Sequence, residues 1–423
     1  MKSYTRLIVV ALVICAGLVI LYSNLIVKEV NTRTDSVDTT VKTATTDLRT
    51  IHIQSRPVGM SRPHIRIPPP HVKISPIEVS PGFKSAIPQN TAFWNRKFYA
   101  GLKKLETWNV SQLGQSSTES TESLQANIPD FNSYPALYQE FLHSMHFRTP
   151  DLLINQPNKC ESNGQPDRVT LLLGIKSVAR NFEERQAIRE TWGHEGLYED
   201  NLLVRRVFLL GTPSLGDPDL RSLLALEAQQ FGDLLVWDFK DSFYNLTLKE
   251  HVFLKWSLQH CSQASFIFKG DDDVFVNPKA VLSYVKSLDP EKASKLYAGQ
   301  IISQASPHRS PNIKYFVPPS FYDGPYPPYA GGGGFIFSGA LLQSLYSVTW
   351  LIPFYPIDDV YTGMCFQALA ISPEKHSGFQ TFDIREQDRD NPCVYRTLLV
   401  VHRRTPQQAL RLWRSMNSPL LTC

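Results

Sequence analysis

The stretch SFIFKGDDDVFV, residues 265–276, sets three adjacent aspartates between two apolar runs. Carboxylates this close repel one another, and burying one unpaired is costly. The acids therefore belong where a strand leaves the core, and the chain before them says what kind of core. RVTLLLGIKSV (168–178) reads as a buried strand and FEERQAIRETW (182–192) as a helix. RRVFLLG (205–211) and LLVWDF (234–239) are further strands, each followed by a helix, DLRSLLALEAQQF (219–231) and LTLKEHVFLKWSLQHC (246–261). SFIFKG is the fourth strand. This alternation predicts an α/β fold with a mostly parallel central sheet flanked by helices. Ligands bind such sheets at the carboxyl ends of the strands, which puts Asp271–Asp273 on the rim of a site.

Beyond the acids the pattern is less regular. PKAVLSYVKSL (278–288) is helical, and KLYAGQII and KYFVP are strand-like. A loop, YDGPYPPYAGGGGF (322–335), precedes a helix starting near Gly339. IDDVYTGMCFQALA (357–370) is helical, RTLLVVH (396–402) a strand and PQQALRLWRSM (406–416) a closing amphipathic helix.

The 423 residues are 42% hydrophobic and 19% charged, enough for a large core. A net charge of +4 with scattered basic residues gives no footprint for nucleic acid. LIVVALVICAGLVILYSNLIV (7–27) is long enough to cross a bilayer, and Lys2 and Arg6 before it keep residues 1–6 cytosolic. A cleaved signal peptide would carry a shorter apolar region. Residues 28–140, rich in proline and polar runs, read as a stem, and 141–423 as the lumenal catalytic domain. FWNRKFYAGLKKLETW (93–108) stands out in the stem as a helix able to dock on that domain. Cys15 lies in the anchor; the other five cysteines face an oxidising lumen, where disulfides are expected and one thiol is left over. Asn109-Val-Ser111 and Asn245-Leu-Thr247 are glycosylation acceptors, though Thr247 and Glu250 also fit a helix capping box.

In extended backbone Asp271 and Asp273 point to one side. Two converging carboxylates suit Mg²⁺ or Mn²⁺ shared with substrate phosphates. The spacing excludes an EF-hand, leaving a solvated acidic turn as the plain alternative. Asp358 and Asp359 open a helix whose dipole favours ionised carboxylates, as a base requires, although capping explains Asp358 equally well. Gly331–Gly334 permit close backbone approach, with no Gly-Lys-Ser/Thr to make a P-loop. Tyr326, Tyr329 and Phe335 offer faces for a sugar ring or ordinary core packing. Arg185 and Arg189 share a helix face, free to meet nucleotide or to pair with Glu184 and Glu190. Lys269 balances the acids, and Trp192 reads as core.

RQAIRETWG (185–193), RVFLLGTP (206–213), WDFKDSFYNLTLKE (237–250), FKGDDDVFVN (268–277), YPPYAGGGGFIFSG (326–339) and YPIDDVYTGMC (355–365) resemble, in order, the motifs of the β-1,3-glycosyltransferase family, of GT-A type. LLINQPNKC (152–160), PYAGGGGF and EKHSGFQTFDI (374–384) are most similar to its N-acetylglucosaminyl branch, closest to the activity that extends poly-N-acetyllactosamine. The resemblance implies UDP-GlcNAc as donor, a galactose-terminated glycan as acceptor, inversion in one displacement, and Mn²⁺ or Mg²⁺. It implies Asp359 as base with Asp358 in support, and metal ligation by Asp271, Asp273 and His402. His376 is the weaker competitor for the third ligand. Arg189, Lys269, Asp271, Asp272, Gly332 and Gly333 are expected around the donor. A single-pass type II protein of the Golgi membrane, able to form homo- or hetero-oligomers with other glycosyltransferases, is implied as well. The readings set against it are a β-1,3-galactosyltransferase using UDP-Gal and a non-catalytic lumenal glycan- or cation-binding protein.

Overall fold

The structure, a computed structural model, describes residues 74–75, 77–106, 120–162, 165–213 and 218–423. The tail, the anchor at 7–27, Cys15, most of the expected stem and the Asn109 sequon lie outside the described residues. Among the described residues no helix is long and apolar enough to cross a membrane.

The central sheet is built from β1 (Leu152–Ile154), β2 (Val169–Lys176), β3 (Leu203–Thr212), β4 (Leu234–Lys240), β5 (Phe266–Asp271), β7 (Tyr297–Ile302), β8 (Tyr329–Ser338) and β9 (Glu374–Lys375). Its spatial order is β1-β4-β3-β2-β5-β8-β7-β9, with Gly196–Leu197 added beside β3. Strands β4, β3, β2 and β5 are parallel, as the alternation predicts. The rest departs from it: β1, β8 and Gly196–Leu197 pair antiparallel, so the sheet is mixed rather than mostly parallel. The reason is local. After the acids the strands return without a crossover helix between β7 and β8, and such connections favour antiparallel pairing.

The helices follow the sequence reading to within one or two residues: α5 (Phe182–Glu190), α6 (Pro218–Phe231), α7 (Leu246–His260), α8 (Pro278–Ser287), α9 (Asp358–Ala368) and α10 (Pro406–Met416). From β2 the chain runs outward through β3 and β4, then returns to β2's other edge as β5, leaving a switch point between β2 and β5. Lys176 and Asp271 face each other across that gap. A second, three-stranded sheet joins β6 (Val274–Val276) to β11 (Val400–His402) and β10 (Phe379–Gln380). Antiparallel pairing of His402 with Val274 delivers the histidine beside the acids.

Each face of the sheet carries its own apolar cluster, one including Leu171, Leu173 and Phe268, the other Leu172, Phe253 and Ile267. The second cluster extends into α1 (Pro81–Ala86), α2 (Phe93–Glu106), α3 (Thr121–Asn127) and α4 (Ala136–Ser144). Packing therefore begins well before residue 141, and the stem boundary drawn from composition does not hold. Disulfides join Cys160 to Cys261 and Cys393 to Cys423, and Cys365 is a buried free thiol. Helix α7 starts at Leu246 without a side-chain cap, so no capping box forms; the Thr247 hydroxyl instead donates to the Tyr355 carbonyl at 2.6 Å.

Candidate active site

A cleft of about 630 Å³ opens over the carboxyl ends of β2 and β5 and is lined by Lys176, Asp271–Asp273, Gly331–Gly333, Asp358, Asp359 and His402. Strand β5 ends at Asp271, and the next two aspartates form a turn into β6 rather than the continuous extended backbone expected. The Arg404 amide donates to the Asp273 carbonyl at 2.7 Å and ties that turn to the end of β11. Asp271 and Asp273 still converge, because the turn swings Asp273 toward the second sheet. Asp272 turns away and accepts from the Asn181 amide at 2.9 Å. Burial pushes its carboxyl up to about 6.

Ligand atoms of Asp271, Asp273 and His402 lie within 4.8 Å of one another. The His402 Nδ1 sits 2.8 Å from the Thr381 carbonyl, which fixes it as the protonated nitrogen. That leaves the Nε2 lone pair 3.2 Å from Asp273 Oδ1, a buried oxygen with no hydrogen-bond partner. Two electron-pair donors facing each other are resolved by a cation; neighbouring ligands of an octahedral ion of Mg²⁺ type stand about 3 Å apart. Two carboxylates and one imidazole, with open positions, fit a divalent ion. Without a metal a proton on Nε2 fills the same gap, and its hydrogen bond and charge interaction with Asp273 raise the His402 pKa against burial; metal binding displaces that proton. His376 is elsewhere: its Nδ1 accepts from the Gly378 amide, and its ring rests on Tyr284.

Lys176 links the two halves of the cleft. Its ammonium lies 2.9 Å from Asp271 Oδ1 and 2.7 Å from Asp358 Oδ2, and only 6% of the side chain is exposed. Burial opposes the charge, but the two carboxylates outweigh it and raise the lysine above its ordinary value. Burial likewise works against ionised Asp358, and Lys176 overcomes it, so Asp358 is held low. Asp359 goes the other way. Burial first and the Asp358 charge second push it up to about 7, against Lys176 and the amides of Val360 and Gly332. The helix start alone does not keep it fully ionised, contrary to the expectation from the dipole. Lys176, Asn181 and Thr381 were not singled out by motif. The one visible signal was a lysine closing the otherwise apolar strand TLLLGIK.

The glycine run forms the middle of β8, not a loop. A Cβ at Gly332 would lie 3.3 Å from the Asp359 carboxylate, and one at Gly333 3.1 Å from the His402 ring. The bare strand thus passes between base candidate and metal ligand. Tyr326 and Tyr329 line the cleft, whereas Phe335 is core.

Two expected donor contacts are not in the cleft. Arg189 is buried against Asp233 at 2.8 Å and Glu227 at 2.7 Å, because the helix face it shares with Arg185 turns toward α6 and the strand edges. Arg185 pairs with the same Glu227 and donates to the Val178 and Ala179 carbonyls. Lys269 shares its face of the strand with Asp271 but lies two residues deeper, buried against Glu250 of α7 below the cleft floor. Depth along the strand, not alternation, keeps its ammonium beside the Phe253 ring, out of the cleft yet within electrostatic reach of Asp271 and Asp358. Trp192 is fully buried, as read.

The galactosyltransferase family pattern matches residues 183–377. The chain is 44% identical over 351 residues to the Mus musculus N-acetyllactosaminide β-1,3-N-acetylglucosaminyltransferase 2, covering 78% of this chain and 86% of that protein. The Homo sapiens protein of the same name is 43% identical over 347 residues, with the same coverage. The Rattus norvegicus UDP-GlcNAc:βGal β-1,3-N-acetylglucosaminyltransferase 7 is 42% identical over 313 residues, 71% of this chain and 77% of that one. Among solved structures, the galactosyltransferase LgtC with donor and acceptor sugar analogues aligns over 58% of this chain and 96% of that chain at 12% identity, with a TM-score of 0.32. With relatives this similar along most of its length, the chain belongs to the β-1,3-N-acetylglucosaminyltransferases of the galactosyltransferase family.

Proposed function

We propose that this protein is an inverting transferase of GT-A type. It moves N-acetylglucosamine from UDP-GlcNAc in β-1,3 linkage onto terminal galactose of N-acetyllactosamine-type glycans on glycoproteins or glycolipids. The observation that carries the reading is the division of labour in one cleft. A metal-type donor set, Asp271, Asp273 and His402, stands at the end of β5. A separate carboxylate, Asp359, has its proton affinity raised toward neutrality.

The acceptor hydroxyl oxygen attacks the anomeric carbon from the face opposite UDP. The bond from that carbon to the diphosphate oxygen breaks, UDP leaves with the electron pair, and the hydroxyl proton passes to Asp359. Asp271, Asp273 and His402 would hold Mn²⁺ or Mg²⁺, which supplies Lewis-acid neutralisation of the diphosphate when bound. Lys176 holds Asp358 and Asp271 in place and keeps the local charge near balance. Gly332 and Gly333 let backbone, without side chains, face the sugar.

The segment 7–27 fits a signal anchor in the Golgi membrane with the catalytic domain lumenal. The two disulfides support an oxidising compartment. The test is a donor panel, UDP-GlcNAc against UDP-Gal, with a lactose-type acceptor and Mn²⁺. GlcNAc transfer giving a β-1,3 product is expected. Preference for UDP-Gal would replace the donor assignment, and failure to release UDP from either sugar would leave a binding protein.

A further inference from the structure

We infer that the helices preceding the family-matched region, through Asn95 in particular, set the acceptor-facing wall of the cleft, making Asn95 a positioning residue for acceptor recognition. The inference rests on the transferase reading above.

The wall is the segment between β7 and β8, residues 303–328, which contributes His308, Lys314, Tyr315 and Tyr326 to the cleft. It contains no helix and no strand beyond a single bridge, His308 to Phe316, so its shape must be imposed by tertiary contacts. It lies on the side of the base. The Tyr326 hydroxyl accepts from the Tyr355 hydroxyl at 3.0 Å, in the lead-in to α9 and Asp359, while the metal-type carboxylates follow β5. A base must reach the acceptor hydroxyl, so the wall beside it is the one the acceptor meets.

What holds this wall comes from outside the region 183–377. Asn95 is fully buried, and its side chain makes a reciprocal pair with the Asp323 backbone: Nδ2 donates to the carbonyl at 3.0 Å, and Oδ1 accepts from the amide at 3.3 Å. The same Nδ2 donates to the Pro88 carbonyl at 2.8 Å. The first amides of α2 would otherwise lack partners. Phe93 N instead donates to Ser320 O at 2.8 Å, and Trp94 N to Phe321 O at 2.7 Å. The Tyr134 hydroxyl meets the Ser320 hydroxyl at 2.6 Å. Gly324 adopts φ 151°, and a Cβ there would stand 2.7 Å from Pro88. The same helix start reaches the lead-in to the base, since Trp94 Nε1 donates to the Pro353 carbonyl at 3.0 Å. One buried helix end thus registers the wall against Asp359.

Full-length protein with Asn95→Ala, and separately Tyr134→Phe, is assayed for KM toward N-acetyllactosamine, KM toward UDP-GlcNAc, kcat and UDP affinity. The expected result for Asn95→Ala is a rise of about tenfold in acceptor KM, from leaving buried backbone groups unpaired. Donor KM and UDP affinity stay at the wild-type level. Tyr134→Phe, which keeps the ring and removes one hydroxyl, moves acceptor KM in the same direction by less; if Asn95→Ala does not fold, this variant decides. Unchanged acceptor KM, an equal rise in both KM values, or a fall in kcat that merely tracks the folded fraction overturns the inference. Wild-type protein assayed in parallel separates the two failures: if it transfers nothing to the acceptor, the functional reading has failed instead.

Discussion

Asp359 must be ionised to accept a proton, yet its surroundings favour the protonated form up to about pH 7. The sign of the pH dependence follows. Above that value the base is ready; below it kcat/KM falls about tenfold per pH unit, one proton blocking one base. A pH profile of kcat/KM is expected to show an acidic limb near 7. Lys176→Met should move that limb to higher pH, because only the amides of Val360 and Gly332 would then oppose burial and the Asp358 charge. A limb that stays in place would show that some other group sets it. Asp359→Asn is expected to lower transfer by ~10²–10⁴-fold with UDP affinity near wild type, measured by product release and by calorimetry. The aspartate pair was legible in the sequence, since YPIDDVY announces a helix start. The direction of Asp359's shift was not. It depends on a contact between Asp358 and a lysine 182 residues away, which no local pattern encodes.

Strand β8 shows how an element can hide from its own composition. Four successive glycines argue for a loop, since glycine weakens a strand. Here the flanks carry the pairing: Tyr329–Ala330 and Phe335–Phe337 pair with β7 and Gly334–Ser338 with β5, while Gly331–Gly333 bulge between the two paired stretches of the β7 ladder. The glycines are then spent on proximity, and each meets a different neighbour. Gly333→Ala would put a methyl 3.1 Å from the His402 ring and press it off the Thr381 carbonyl. Loss of such an orienting contact typically costs 10–100-fold in metal affinity. A drop of about tenfold in Mn²⁺ affinity is therefore expected, by titration calorimetry, with the melting temperature little changed. One position on, the outcome reverses. A methyl at Gly334 would meet Val400 at 2.9 Å and the Phe268 ring at 3.1 Å, inside the core. Gly334→Ala should cost about 1–3 kcal/mol of stability through overpacking. Equal effects of the two substitutions on metal affinity would contradict this assignment of neighbours.

At the scale of the whole molecule, the question is where the catalytic body begins. The parallel half of the sheet, β2 to β5, could be read residue by residue because buried strands and amphipathic helices alternate there. Of the N-terminal helices only α2 was legible, as a docking helix over 93–108; α1 and α3 are short and set among prolines and polar runs that by composition resemble a linker. The apolar residues of the N-terminal helices nonetheless complete one face of the core: Phe93, Trp94 and Phe98 are at most 1% exposed, and Trp94 stacks on Phe98 and meets Tyr355 edge-on. Deleting a buried large aromatic costs about 3–5 kcal/mol. Losing several at once exceeds the ~5–15 kcal/mol by which a domain is stable. The loss would also strip the partners from segment 320–323 and from Pro353, five residues before Asp358. A chain beginning at residue 141 is therefore expected to aggregate or melt without a cooperative transition, even though it contains the whole family-matched region. One beginning at residue 75 should keep both a single calorimetric transition and transfer activity. Cooperative melting and wild-type kinetics from the shorter chain would mean that the early helices decorate the body rather than complete it.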